Sequence, residues 1–160
     1  MPAERAFIGL GANLGDARGT LAQAAKAIAA IPGTTLVAQS ATYRSAPVDA
    51  QGPDFLNAVL EIRTTLEPQA LLQALQAIEQ AHGRLRPYRN APRTLDLDLL
   101  LYGERVLHTP ALTVPHPRAH RRAFVLQPLA EIDTGLVIPG HGSVIGLLAA
   151  VADQPVRKLE

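Results

Sequence analysis

The sequence predicts an α+β fold with a ferredoxin-like βαββαβ core, in which helices pack on a mainly antiparallel sheet and C-terminal additions follow. Three observations lead to that class. Apolar residues recur with a strand-like or a helix-like period in the order strand, helix, strand, strand, helix, strand up to Tyr102. Glycine and proline punctuate the changes of period, as at Pro32-Gly33 and Glu67-Pro68. No repeat, linker or low-complexity segment interrupts a chain of 160 residues that is 48% apolar, which suits one domain spanning 1–160.

Each element has its own signal. Ala6 to Gly11 reads as a short buried strand, broken by the turn residues Gly11 to Asp16. The glycines at 9, 11 and 15 are spaced one residue too widely for a dinucleotide fingerprint, so a strand end and helix-entry turn is the preferred reading. Leu21, Ala24, Ala25, Ile28 and Ile31 mark a helix from Asp16 to Ile31. Thr34 to Tyr43 is a β-rich second strand. The loop 45–53 is longer than a hairpin turn and is expected to be a functional lid. From Phe55 to Thr65 the residues alternate, with Phe55, Asn57 and Val59 on one face and Leu56, Ala58, Leu60 and Ile62 on the other. Leu71, Leu72, Leu75 and Ile78 form the stripe of a second helix, with Gly83 as its C-terminal cap and Gln76 and Glu79 on a neighbouring face. An irregular loop, 84–93, leads into the strand ending at Tyr102. Beyond it, Val106-Leu107 is a short strand, Leu112 to Pro117 is held extended by prolines, and Ala119 to Leu126 is a helix carrying Phe124. Ser143 caps a last helix running through Ala152.

Composition excludes several classes. The absence of cysteine rules out a disulfide scaffold and thiolate metal sites. No apolar run reaches membrane-spanning length and no secretory leader is evident, so a cytoplasmic protein without a membrane partner is expected. The net charge of +1 says little, but Arg84, Arg86, Arg89 and Arg93 cluster in one acid-free segment, and Arg118, Arg121 and Arg122 in another.

The stretch Arg93 to Leu101 carries the strongest chemical signal. Leu95, Leu97, Leu99 and Leu101 should share one face of a strand, with Asp96 and Asp98 on the other, where Leu100 and Tyr102 continue the row. Two adjacent carboxylates repel unless a cation sits between them, and Mg²⁺ takes one or two carboxylates together with substrate phosphates. A solvated strand face is the alternative. The arginines just upstream turn a generic metal site into a polyphosphate site, because guanidinium groups pair with phosphate oxygens in bidentate fashion; a solvated basic loop is the alternative. His116, Arg118, His120, Arg121 and Arg122 make a second phosphate-facing patch, or a merely basic surface. The H-x₃-H spacing of His116 and His120 would suit zinc on a helix, but Pro115 and Pro117 flank His116 and argue against it. RNA recognition by a basic ferredoxin-like domain needs an aromatic sheet face; here aromatics make up 4% and the central strand carries aspartates, so no nucleic-acid partner is expected.

Pro92-Arg93-Thr94-Leu95-Asp96-Leu97-Asp98 resembles the signature of the 6-hydroxymethyl-7,8-dihydropterin pyrophosphokinases of folate biosynthesis. Gly9 to Gly15 is similar to the opening segment of that family, and Tyr43-Arg44-Ser45-Ala46-Pro47 and Phe55-Leu56-Asn57-Ala58 to its pterin-side segments. Ile78-Glu79, Gly83-Arg84 and Leu112 to His116 follow in the expected order, so the resemblance covers essentially the whole chain. Asn90 stands where several members carry Trp, and Pro117 where some carry Tyr.

The resemblance implies transfer of the β,γ-pyrophosphoryl group of ATP to the hydroxymethyl oxygen of 6-hydroxymethyl-7,8-dihydropterin, by a monomer using two Mg²⁺ ions bound with ATP. Asp96 and Asp98 would hold the metal. Arg84 and Arg93 would act on the transferred group, making these four the catalytic set. Gln76, Glu79, Arg84, Arg86, Arg93, Leu99, Thr113, His116 and Arg122 would bind ATP. The pterin would lie between Phe55 and Phe124, read by Asn57 with help from Ser45, Pro47 and Val48, and would reach Asp96. A non-catalytic regulator that binds nucleotide or polyphosphate on the same fold is the competing reading.

Overall fold

A computed structural model describes residues 3–13, 16–46, 54–82 and 95–159. Strand β1 (Glu4–Ala12) leads to helix α1 (Ala17–Ala29), then strands β2 (Thr34–Gln39), β3 (Tyr43–Ser45) and β4 (Phe55–Thr64). Helix α2 (Pro68–Ala81) and strand β5 (Asp96–Tyr102) complete the βαββαβ order. The additions are the hairpin β6 (Leu107–His108) and β7 (Thr113–Val114), a 3₁₀ turn (Ala119–Arg121), helix α3 (Ala123–Ile132), the hairpin β8 (Val137–Ile138) and β9 (Gly142–Ser143), helix α4 (Val144–Ala150) and strand β10 (Val156–Lys158).

The main sheet runs β10-β3-β4-β1-β5, with β2 also paired to β4, and its pairings are antiparallel. The expected second strand is divided: Ser40 ends β2, its hydroxyl accepting the Val59 N–H at 2.9 Å, and β3 then pairs with the other half of β4. Local signals set the helix starts. Asp16 caps α1 by accepting the Gly19 N–H at 3.1 Å, Pro68 opens α2, and Ser143 caps α4 by accepting the Gly146 N–H at 3.1 Å. The helix expected over 119–126 is instead a 3₁₀ turn followed by α3, which runs on to Ile132.

Two cores lie on opposite faces of the sheet. On one, Ala6, Ile8, Leu10, Leu60, Ile62, Leu95, Leu97 and Leu99 meet α1 and α2 through Leu21, Ile28, Leu71 and Leu75. On the other, Phe7, Val59, Leu100 and Leu101 meet α3 and α4 through Val125, Leu126, Leu129 and Val144. Leu101 and Tyr102 have therefore exchanged the faces that strict alternation assigns them. The cause is a β-bulge: Ile8 faces Leu99, but Phe7 faces Leu101, so Leu100 is an extra residue on β5 and the face assignment inverts beyond it. Tyr102 now buries its ring with the leucine face and its hydroxyl donates to the Leu66 carbonyl.

Candidate active site

The bulge lies just downstream of the aspartates, so Asp96 and Asp98 keep the orientation their spacing predicts. Both are half-buried, on the face of β5 away from the α1 and α2 core. Across the sheet the register aligns Asn57 on β4, Gly11 on β1 and Asp96 on β5 in one row, and Val59, Gly9 and Asp98 in the next. Cross-strand partners point the same way, so Gly11 leaves bare floor between Asn57 and Asp96, while Gly9 makes room for the Leu100 side chain, which a Cβ there would meet at 3.3 Å. A Cβ on Gly11 would sit 3.5 Å from the Asn57 Oδ1 and 3.8 Å from the Phe55 ring. The glycines, read from the sequence as turn chemistry, thus make room on the sheet; only the register exposes that role.

A cleft of about 230 Å³ rises from this floor. Ser45, Phe55, Asn57 and Phe124 line one part of it, and Asp96, Asp98 and Arg122 another. It is smaller than the ~300–1,000 Å³ of drug-sized pockets, so it suits one small flat ring, with any longer ligand extending outward. Asn57 is 5% exposed and its Nδ2 donates to the Ser45 Oγ at 2.7 Å. That bond orients the amide and turns Oδ1 toward Gly11 and the cleft. Phe124, on the first turn of α3, supplies a half-buried ring, and the Arg122 guanidinium lies 5.4 Å from its centroid.

His116 approaches from the segment after β7. Its N–H donates to the Leu100 carbonyl at 2.9 Å, which ties the segment to β5. Its Nδ1 accepts the Arg118 N–H at 3.2 Å, so in the neutral ring the proton is on Nε2, which stands 3.8 Å from Asp98 Oδ1. Burial pushes the imidazole below its ordinary value; Asp98 opposes that shift, while Arg122 and Arg118 add to it. The neutral form is therefore the one present at pH 7. Burial also lowers the Arg122 guanidinium, with Asp98 and Asp96 opposing, but an arginine starts high enough to stay charged. The Asp96–Asp98 end of the cleft thus presents two carboxylates and the Arg122 cation, with the His116 imidazole N–H beside Asp98.

Asp96 and Asp98 offer hard oxygen donors, the type Mg²⁺ selects. Among the described residues no group of three or more His, Asp or Glu could hold a metal ion. Mg²⁺ commonly takes one or two carboxylates from a protein and fills the rest of its shell with substrate oxygens and water.

The other expected site residues fall elsewhere. Glu79 is 4% exposed and its Oε2 accepts the Leu97 N–H at 2.8 Å, fastening α2 to the strand between the two aspartates. Leu99 is buried in the core under α1 and α2, Gln76 is exposed on α2, and Thr113 is half-buried in β7; none of these lines the cleft. His120 stacks on His141, ring centroids 3.7 Å apart, and takes no part in a pair with His116. Pro47, Val48, Arg84, Arg86, Arg89 and Arg93 lie outside the described residues, as does Gly83. No described helix is long and apolar enough to cross a membrane.

Comparison with known proteins agrees with this geometry. The family model for 7,8-dihydro-6-hydroxymethylpterin-pyrophosphokinase matches residues 7–134. The chain is 44% identical over 155 residues to the 2-amino-4-hydroxy-6-hydroxymethyldihydropteridine pyrophosphokinase of Haemophilus influenzae, covering 96% of this chain and 97% of that one. It is 44% identical over 157 residues to the protein of the same name from Pseudomonas aeruginosa, covering 98% and 97%. Its fold is shared by an HPPK-DHPS crystallised in complex with substrates, at TM-score 0.77 and 12% identity over 96% of this chain. Wild-type Plasmodium falciparum HPPK-DHPS matches at TM-score 0.75 and 11% identity over 94% of this chain. This chain spans only 44% and 45% of those two longer chains. A match that takes in β1 through α3, and so every described residue of the cleft, together with two near-full-length relatives, establishes that the chain belongs to the 7,8-dihydro-6-hydroxymethylpterin-pyrophosphokinase family.

Proposed function

We propose that this chain transfers the β,γ-pyrophosphoryl group of Mg-ATP to the hydroxymethyl oxygen of 6-hydroxymethyl-7,8-dihydropterin, giving the pterin diphosphate and AMP. The observation that carries the reading is that one small cleft brings Phe55, Asn57 and Phe124 together with Asp96, Asp98 and Arg122. Phe55 and Phe124 offer aromatic faces to a flat heterocycle. Asn57, oriented by Ser45, offers an acceptor in Oδ1 and a second N–H for the polar edge of the ring. A pterin held there directs its hydroxymethyl group along the bare floor over Gly11 toward Asp96.

In the transfer, a bond forms from the hydroxymethyl oxygen to the β-phosphorus as the bond from that phosphorus to the α,β-bridging oxygen breaks. AMP leaves with the bridging oxygen, and the hydroxyl proton is released. The protein contributes position and charge. Arg122 and the His116 Nε2–H donate to phosphate oxygens, and Arg84 and Arg93 act on the transferred group and on departing AMP. Asp96 and Asp98 would hold two Mg²⁺ ions, whose chemistry when bound is to draw charge from the phosphates and raise the reactivity of the acceptor oxygen. Gln76, Glu79, Arg86, Leu99 and Thr113 are assigned to the nucleotide side. For Glu79 and Leu99 the assignment is through the backbone and edge of β5, since their side chains turn inward.

The same reading has one domain, 1–160, acting as a cytoplasmic monomer with no nucleic-acid or membrane partner. Calorimetric titration of the pterin in the presence of Mg²⁺ and a non-hydrolysable ATP analogue tests the site. Binding that is weakened at least tenfold by Asn57→Ala is expected; a protein that binds the analogue but not the pterin would be a nucleotide-binding regulator instead.

A further inference from the structure

Arg122 stands at the N-cap of α3, but a guanidinium has no acceptor to offer a backbone N–H, and its side chain lines the cleft instead. The cap comes from the other end of the C-terminal additions. Gln154, in the turn after α4, accepts the Ala123 N–H on its Oε1 at 2.9 Å and donates from Nε2 to the Arg121 carbonyl at 3.0 Å. One side-chain amide therefore grips the backbone immediately before and immediately after Arg122. The grip is itself anchored: the Gln154 N–H donates to the Val151 carbonyl at 3.0 Å, and Val151 is buried in the second core.

Between these two bonds Arg122 adopts an extended backbone, φ −121° and ψ 114°, the single extended residue between the 3₁₀ turn and α3. That conformation sends its side chain over the Phe124 ring and toward Asp98 and Asp96. We propose that Gln154 is a positioning residue for the reaction: by bracketing the Arg121–Ala123 backbone it holds Arg122 over the phosphate end of the cleft and Phe124 over the ring end. The inference rests on the reading of Arg122 as a phosphate ligand. Its physical basis is the sensitivity of transfer to placement, since a displacement of about 1 Å can cost ~10²-fold in rate. Without Gln154 the Ala123 N–H and Arg121 carbonyl exchange a fixed partner for water, and the junction that sets the direction of Arg122 loosens.

The test is a double-mutant cycle on kcat/KM for Mg-ATP at saturating pterin, using Gln154→Met, which keeps length but removes both bonds, and Arg122→Ala. Gln154→Met in the wild-type background is expected to lose about tenfold, and in the Arg122→Ala background to lose less than twofold. Equal losses in both backgrounds, or no loss in the wild type, would overturn the role of Gln154. Arg122→Ala with full activity would instead overturn the reading of Arg122, so the two failures are distinguishable. Should Gln154→Met not fold, the cycle is run with Gln154→Glu, which keeps the acceptor for Ala123 and sets an oxygen against the Arg121 carbonyl; the same pattern of losses is required of it.

Discussion

The two faces of the central sheet use the same three strands to different ends. Under α1 and α2, β1 contributes Ala6, Ile8 and Leu10, β4 contributes Leu56, Leu60 and Ile62, and β5 contributes Leu95, Leu97 and Leu99, a continuous apolar layer. On the opposite face only Phe7, Val59, Leu100 and Leu101 are apolar core, under α3 and α4. At its other end that face carries Gly9, Gly11, Asn57, Asp96 and Asp98, the floor of the cleft. One face supplies stability, and the other trades half its packing for a polar surface that the C-terminal additions roof with Arg122 and Phe124. Stability and chemistry should therefore separate by face, and mutations can test the separation.

The largest effect is expected at Asp96. Asp96→Ala should lower turnover by about 10³-fold or more through loss of a metal ligand, while the melting temperature stays within a few degrees. A near-wild-type rate would remove Asp96 from the machinery. Leu60→Ala, fully buried on the other face, should cost about 2–5 kcal/mol of stability and leave kcat of the folded fraction unchanged, as read from urea denaturation alongside initial rates. A large change in kcat at undiminished stability would contradict the separation. Asn57→Ala sits between these cases: it deletes the ring-reading amide and leaves the Ser45 hydroxyl without its donor. It should raise KM for the pterin by ~10–100-fold, about 1–3 kcal/mol, with KM for ATP little changed.

The smallest effect concerns an ion pair that ties β1 to the end of α3 on the face shared with Phe7. Arg5 on β1 donates to Glu61 at 2.9 Å and to Asp133, at the end of α3, also at 2.9 Å. The Arg5 hydrogen bond holds the Asp133 carboxyl below its ordinary value of 3.8. A folded value below the unfolded one means that this pair contributes stability above the unfolded value, which is lost as pH falls through the folded one. Partial exposure keeps the contribution to about 1 kcal/mol or less. Asp133→Asn should therefore lower the melting temperature slightly at pH 7 and converge with wild type in strong acid; a constant difference at both ends would show that the charge is not responsible.

The legible part of this molecule was the part written in local pattern. Strand alternation put Asp96 and Asp98 on one face and Asn57 on a face with Phe55 and Val59, and the resemblance gave that Asn its expected role. The remainder depends on tertiary register. The bulge at Leu100 inverts Leu101 and Tyr102 because of how β5 pairs with β1, which residue spacing within β5 does not encode. Gly9 and Gly11 gain meaning only when aligned with Asn57 and the aspartates. Glu79 turns from a helix surface into a buried fastening for Leu97 because α2 lies along the edge of β5. Gln154, more than thirty positions from the backbone groups it grips, carries no motif at all.

The central claim, that the two ends of the cleft serve one transfer, is tested most directly by identifying the nucleotide released when the protein turns over Mg-ATP with 6-hydroxymethyl-7,8-dihydropterin, for instance by ³¹P NMR. AMP together with a diphosphorylated pterin is the expected result. ADP with a monophosphorylated pterin, or no turnover by folded protein, would contradict it.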